Sequence, residues 1–173
     1  MKIKIIILCF CIFLVITTTN AKTLKAGIIY SVNEARIEAF TDIPTKIDIQ
    51  KYSSHFVDPN YAKNMKAINK NKLNFKDRYI NFFSSNRYCV TYKNKKIGYY
   101  YDSNGQLSAI EIDINNGYPI KSVEYNLKGE IESVRLTLSP NEGYVFDLNR
   151  NLIAHWIGDN GYDENGQLIM TRN

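Results

Sequence analysis

The period of apolar and polar positions changes once along this chain. Val32, Ala35, Ala39, Phe40 and Ile43 recur on one helical face. Ser31-Val32-Asn33-Glu34 has the spacing of a capping box, and Pro44 stops the run. A helix is therefore predicted from about Val32 to Asp42. Ile47, Ile49 and Tyr52 form too short a pattern to assign. Asp58-Pro59 is a second helix-start signal, and Tyr61, Met65 and Ile68 continue one face to about Asn71. From Arg78 the period becomes two. Strands are predicted at Tyr79–Ser84, Arg87–Tyr92, Ile97–Tyr101, Gln106–Ile114, Ile120–Tyr125, Ile131–Leu138, Tyr144–Asp147, Leu152–Ile157 and Gln167–Thr171. Ser85-Asn86 and Asn94-Lys95 read as tight turns between the first of them.

A short phrase recurs within the strand region: an aromatic, Asp or Asn, two residues, Gly, one residue, then Leu or Ile. Its copies start at Tyr101, Tyr125, Phe146 and Tyr162, with Arg150 replacing the Gly once. Asp caps its own backbone and Gly supplies positive φ, so each copy reads as a hairpin turn between an incoming aromatic and an outgoing Leu or Ile. In the copy without Gly, Asn149-Arg150-Asn151, an Asn is expected to tolerate the turn. The interval between copies shortens along the chain, which argues against a strict solenoid. The fold class is thus α+β: two short N-terminal helices, then an antiparallel β-meander of about eight to ten strands. Strands apolar on both faces, notably Leu152 to Ile157, must be covered twice. There, Leu152, Ala154 and Trp156 are expected on one face, and the N-terminal helices are the natural cover for one side of the sheet.

The chain has 173 residues, and its start changes the picture. Lys2 and Lys4 precede an unbroken apolar run from Ile5 to Ile16, too short for a membrane span and suited to a signal-peptide core. Cleavage is predicted after Ala21, with Phe10 before Cys11 arguing against lipidation. Residues 22–173 then form one domain, with 22–77 as the helical part and 78–173 as the sheet. No second apolar stretch approaches membrane-spanning length, so the mature chain is expected to be soluble and exported, periplasmic or secreted. Loss of Lys2 and Lys4 lowers the net charge of +5 by two. Two of the three cysteines go with the signal, so Cys89 has no intramolecular disulfide partner and is expected to be buried.

Candidate chemistry is sparse. Glu111 and Asp113 share one face of one strand, a spacing that paired hydrolase carboxylates could use, but read more simply as an exposed strand face. Cys89 with His55 or His155 would make a thiol–imidazole pair, yet Cys89 lies in mid-strand, away from the helix start where such thiols are activated. Two His and one Cys fall short of a structural zinc site. Asp159 to Gly166 fails the calcium-loop spacing and reads as two tandem turns. Lys63, Lys66, Lys70, Lys72, Lys76 and Arg78 form a basic run without the aromatic interleaving of a nucleic-acid platform, so it reads as a solvated helix face. No catalytic residue, metal site or cofactor is predicted, and no nucleic-acid partner. The 13 tyrosines are the strongest compositional signal. They suggest an amphipathic binding surface, with Tyr99, Tyr101, Tyr125 and Trp156 as its candidates.

Tyr-Asp-x-x-Gly-x-Leu, at Tyr101–Leu107 and Tyr162–Leu168, resembles the YD repeat of RHS-type surface proteins and, more loosely, the β-hairpins of MORN-type repeats. Asn33–Phe40, His55–Asn69 and Leu152–Arg172 are similar to segments of a group of small exported bacterial proteins of unknown function. These resemblances imply surface hairpins and no activity, cofactor or site residue. The expectation is a non-enzymatic protein that binds another protein or an envelope polymer at or outside the cell envelope. The alternatives are a small exported hydrolase and an envelope component that assembles with its own copies through a sheet edge.

Overall fold

The structure, a computed structural model, describes residues 23–25, 28–66, 72–83, 87–93 and 95–171. The predicted signal peptide, most of the Ser85-Asn86 and Asn94-Lys95 turns, and the end of the predicted second helix lie outside the described residues. Strands β1 (Thr23–Lys25) and β2 (Ile28–Tyr30) pair as a small hairpin of their own. Helix α1 (Val32–Phe40) follows, with both halves of the Ser31–Glu34 capping box formed. A 3-10 helix spans Ile49–His55, capped by Asp48, and α2 spans Tyr61–Met65. Of the short apolar pattern, Ile49 and Tyr52 lie in this 3-10 helix and Ile47 precedes it.

The rest is one antiparallel meander in strict sequence order. Its strands are β3 (Lys72–Asn74), β4 (Arg78–Phe82), β5 (Tyr88–Tyr92), β6 (Ile97–Tyr101), β7 (Leu107–Asp113), β8 (Ile120–Tyr125), β9 (Ile131–Ser139), β10 (Glu142–Asp147), β11 (Leu152–Ile157), β12 (Asn160–Tyr162) and β13 (Leu168–Thr171). These make eleven strands against the eight to ten expected. The additions, β3 and β12, have three residues each, too few to show a period. Among the described residues no helix is long and apolar enough to cross a membrane.

The repeated phrase is a single device used four times. Asp102, Asn126 and Asp163 each accept backbone N–H bonds from two and four residues on, at 2.8–3.1 Å. Asp147 takes the bond from four residues on, at 2.8 Å. The residue at the Gly position then turns left-handed: Gly105 φ 76°, Gly129 φ 75°, Gly166 φ 76°. In the Gly-less copy it is Arg150, not an Asn, that takes φ 64°. Each turn brings its aromatic opposite its Leu or Ile: Tyr101 pairs Leu107, Tyr125 pairs Ile131, Phe146 pairs Leu152 and Tyr162 pairs Leu168, with a register shift beside each pair.

The first three of these pairs face the N-terminal segment. Ala35 and Ala39 of α1 are fully buried against Tyr125, Val134, Leu136, Tyr144 and Phe146. Farther along, Tyr52, Phe56 and Tyr61 pack on Tyr88, Tyr99, Tyr101 and Leu107. The same segment is tied to the four turns in succession. The Asp58 N–H bonds the Gly105 carbonyl at 2.8 Å, and the Ile47 N–H bonds the Gly129 carbonyl at 2.9 Å. Arg36 Nε bonds the Arg150 carbonyl at 2.7 Å, and its guanidinium pairs with Glu164. The covered face is therefore closed by residues 31–66, anchored at one end of the sheet.

Candidate functional site

The other face of the sheet is polar. Along β9 the alternation is direct: Val134, Leu136 and Leu138 are buried on the covered face, while Ser133, Arg135 and Thr137 lie half-buried on the open one. Strand pairing aligns Asp113 with Ser122, Ser122 with Arg135, and Arg135 with Val145. At the end of the sheet away from the repeated turns these residues floor a groove of about 280 Å³. Tyr79, Tyr118 and Trp156 contribute aromatic walls, and Ser139, Pro140, Asn141, Glu142 and Gly158 a polar rim.

Side-chain chemistry on the floor is linked. Arg135 pairs with Glu111 at 3.1 Å, and the Tyr100 hydroxyl donates to Glu111 at 3.2 Å. The Ser122 hydroxyl donates to Asp113 at 2.6 Å. At the rim the Glu142 carboxylate turns to the covered face, where it meets His155 at 2.9 Å. Deeper along the same face Arg87 pairs with Glu124 at 2.9 Å and stacks over the Tyr100 ring. Burial raises the Glu111 carboxyl above its ordinary value; Arg135 pulls it back, and the charges of Glu124 and Asp113 raise it further. The Arg135 guanidinium is held protonated chiefly by Glu111, against its own burial. Arg135 Nε is buried with no hydrogen-bond partner.

The four expected binding residues do not share a surface. Tyr99, Tyr101 and Tyr125 are buried on the covered face. Tyr99 stacks on His55 at 4.0 Å, Tyr101 on Tyr88 at 5.4 Å, and the Tyr125 hydroxyl donates to the Pro44 carbonyl at 2.8 Å. Burial pushes the Tyr99 and Tyr125 hydroxyls up to about 12. That corrects the expected tyrosine surface: these rings are core, closed over by the N-terminal segment. Trp156 alone of the four faces the groove. The bulge opposite Val145 and Phe146 also corrects the expected face of β11. Leu152 pairs with Phe146 on the covered side, Ile153 is the extra residue, and Ala154 and Trp156 point to the open side.

Glu111 and Asp113 sit differently from the exposed strand face expected of them. They floor a groove, and the Glu111 side chain is only 17% exposed. The sequence signal was their alternation with Ile110 and Ile112; what it lacked was Arg135, one sheet neighbour beyond Ser122. Cys89 is buried beside Tyr100 and Ala109, and burial lifts its thiol to about 12. His55 and His155 both lie on the covered face, His155 stacked on Tyr144 at 4.2 Å, so the sheet separates Cys89 from either imidazole. The basic run is broken up as well: Arg78 is buried, stacked on Phe75 at 4.4 Å and paired with Asp77 at 3.0 Å. No protein-family model, no curated protein and no solved structure matches the chain.

Proposed function

We propose that this chain is a non-enzymatic, exported binding protein whose partner, another protein or an envelope polymer, is held in the groove of the open face. One observation carries the reading: aromatic walls from Tyr79, Tyr118 and Trp156 converge on a half-buried polar floor. Tyrosine and tryptophan give large contact area at low entropy cost, and the floor supplies orientation. The basic, apolar start of the sequence supports export. Capture from the host's envelope and medium, with residues 22–173 as bait, tests this. A partner retained by the native chain and lost by both Trp156→Ala and Tyr118→Ala is the expected result. A partner held equally by both variants overturns the assignment to the groove, and turnover of a captured polymer, abolished by Glu111→Gln, overturns the non-enzymatic reading.

A second reading rests on β13. Leu168, Ile169 and Met170 are 57%, 45% and 38% exposed on the last strand of the sheet, which carries neither charge nor proline. Its outer N–H and C=O groups can pair with the same strand of a second copy about a two-fold axis, with no like charges opposed. Sedimentation at rising concentration would then show a dimer, and Ile169→Lys would return the monomer. A mass that stays constant with concentration removes this reading.

A further inference from the structure

The charge of the groove points to the chemistry of its guest. The chain as a whole is positive, at +5. The charged floor of the groove has the opposite sign: Glu111 and Asp113 against Arg135 alone, the Glu142 carboxylate at its rim turning to the covered face. Arg135 is spent on Glu111, at 3.1 Å. Glu142 has the His155 ring at 2.9 Å. Asp113 is different. Among the described residues its side chain takes one hydrogen bond, from the neutral Ser122 hydroxyl at 2.6 Å, and no ion pair. A cationic guest would bring this carboxylate the counter-charge that its hydrogen-bond partner does not supply.

The walls favour the same kind of guest. Tyr79, Tyr118 and Trp156 line the same groove as the carboxylates, and aromatic faces attract ammonium and guanidinium groups through their quadrupoles, tryptophan most strongly. Methylenes next to such a group would lie against the rings. A bare metal ion fits less well: among the described residues no three His, Cys, Asp or Glu side chains are grouped as a metal site requires. A volume of about 280 Å³ is too small for a folded segment and suits one extended side chain or a short diamine.

We infer that the groove binds a primary amine on an alkyl chain, with Asp113 as the principal anionic contact and Trp156 and Tyr118 as the aromatic contacts. This rests on the reading of the groove as the binding site and adds the class of ligand. The chemistry is shared by a free diamine and by a lysine side chain of a partner, and the test separates the two.

Trp156 is the only tryptophan, so its fluorescence reports the groove directly. The probes are 1,5-diaminopentane, Nα-acetyl-lysine methylamide, glutarate as an anion of similar length, and 1,5-pentanediol as a neutral one. Saturable change is expected with the two amines and not with glutarate or pentanediol. Tighter binding of the lysine derivative assigns a protein partner, and tighter binding of the diamine a free one. Asp113→Asn should weaken the amine about tenfold or more, and Tyr118→Ala, at a half-exposed loop residue, severalfold. Circular dichroism checks that both variants keep the sheet. Pentanediol or glutarate binding as well as the amines, an Asp113→Asn variant that binds them undiminished, or no change with any probe each overturns the amine assignment. The groove reading falls separately, when the captured partner survives Trp156→Ala.

Discussion

Asp58 shows how much one buried side chain can organise here. It is 4% exposed and accepts the Asn60 N–H at 2.9 Å, the Asn64 side-chain amide at 2.7 Å and the Tyr88 hydroxyl at 2.7 Å. Its own N–H meanwhile holds the Gly105 carbonyl. Asp58 was expected to cap the second helix. Instead Asn60 occupies that position, and Asp58 ties α2 to β5. Asp58→Ala leaves the Tyr88 hydroxyl and the Asn64 amide without their acceptor, and should cost about 2–4 kcal/mol in urea unfolding. His55 gives the residue scale a pH signature. Burial is the main cause that lowers its pKa, Lys95 adds to it and Asp58 opposes, and its Nδ1 is buried without a partner. The folded state thus favours the neutral ring. Its contribution is complete above the unfolded value of about 6.5 and is lost as pH falls below it, because the unfolded chain binds the proton first. Stability should fall between pH 7 and 5, and His55→Gln should flatten that fall. Glu111 acts in the opposite sense, since its raised value makes the folded state take up a proton sooner, so an unchanged slope in the His55 variant rules His55 out as the source.

The repeated turns separate two demands that glycine meets. At Gly129 the φ of 75° is accompanied by close packing: a Cβ there would overlap the Ile47 carbonyl oxygen. At Gly166 the φ is 76° and a Cβ would meet nothing within 4 Å. Gly166→Ala should therefore cost about 1–2 kcal/mol, the left-handed penalty alone. Gly129→Ala must also push the N-terminal segment off its turn, and thermal denaturation should show a loss at least about twice as large. Equal losses would mean that the Ile47–Gly129 hydrogen bond contributes nothing. Arg150 carries the same left-handed backbone without glycine; its side chain lies over Phe40 at 5.1 Å, and its carbonyl receives Arg36. The turns were legible in the sequence because their chemistry is local: Asp or Asn, Gly and the flanking apolar residues are all within seven positions. The shortening interval between copies is legible too once strand lengths are known. Each interval spans two strands, and β7 and β8 have seven and six residues where β11 and β12 have six and three. What could not be read was the side on which each tyrosine falls. All five residues of β6 are buried, so Tyr99, Tyr100 and Tyr101 present aromatics to both faces and alternation gives no sign of which one is covered. The groove needed Glu111 and Asp113, Arg135 and Trp156 from three strands, a coincidence of register that no local pattern encodes.

At the scale of the molecule, the sheet is secured unevenly along its length. Its middle strands are covered by α1 and the 3-10 helix, and Val123, Tyr125, Val134 and Leu136 are fully buried. The first three repeated turns each give a backbone carbonyl to the N-terminal segment, at 2.7–2.9 Å. Among the described residues the fourth is held through Glu164, half-exposed in its pair with Arg36, and an exposed ion pair contributes at most about 1 kcal/mol. All four residues of β13 are exposed. Cooperative opening should therefore begin at this end, because the hairpin of β12 and β13 has little buried apolar area to lose. Native-state hydrogen exchange should place the β12–β13 amides well below the global unfolding free energy and those of β8 and β9 at it. Trp156 lies on β11, against this hairpin, and a Cβ at Gly161 would touch its ring at 3.4 Å. A guest held by Trp156 should then slow exchange in β12 as well as in β11, whereas pairing of β13 with a second copy should slow β13 first and only at high concentration. Protection of β13 that is equal to that of β8 in the dilute, unliganded protein would refute the uneven sheet and show that something already covers the edge.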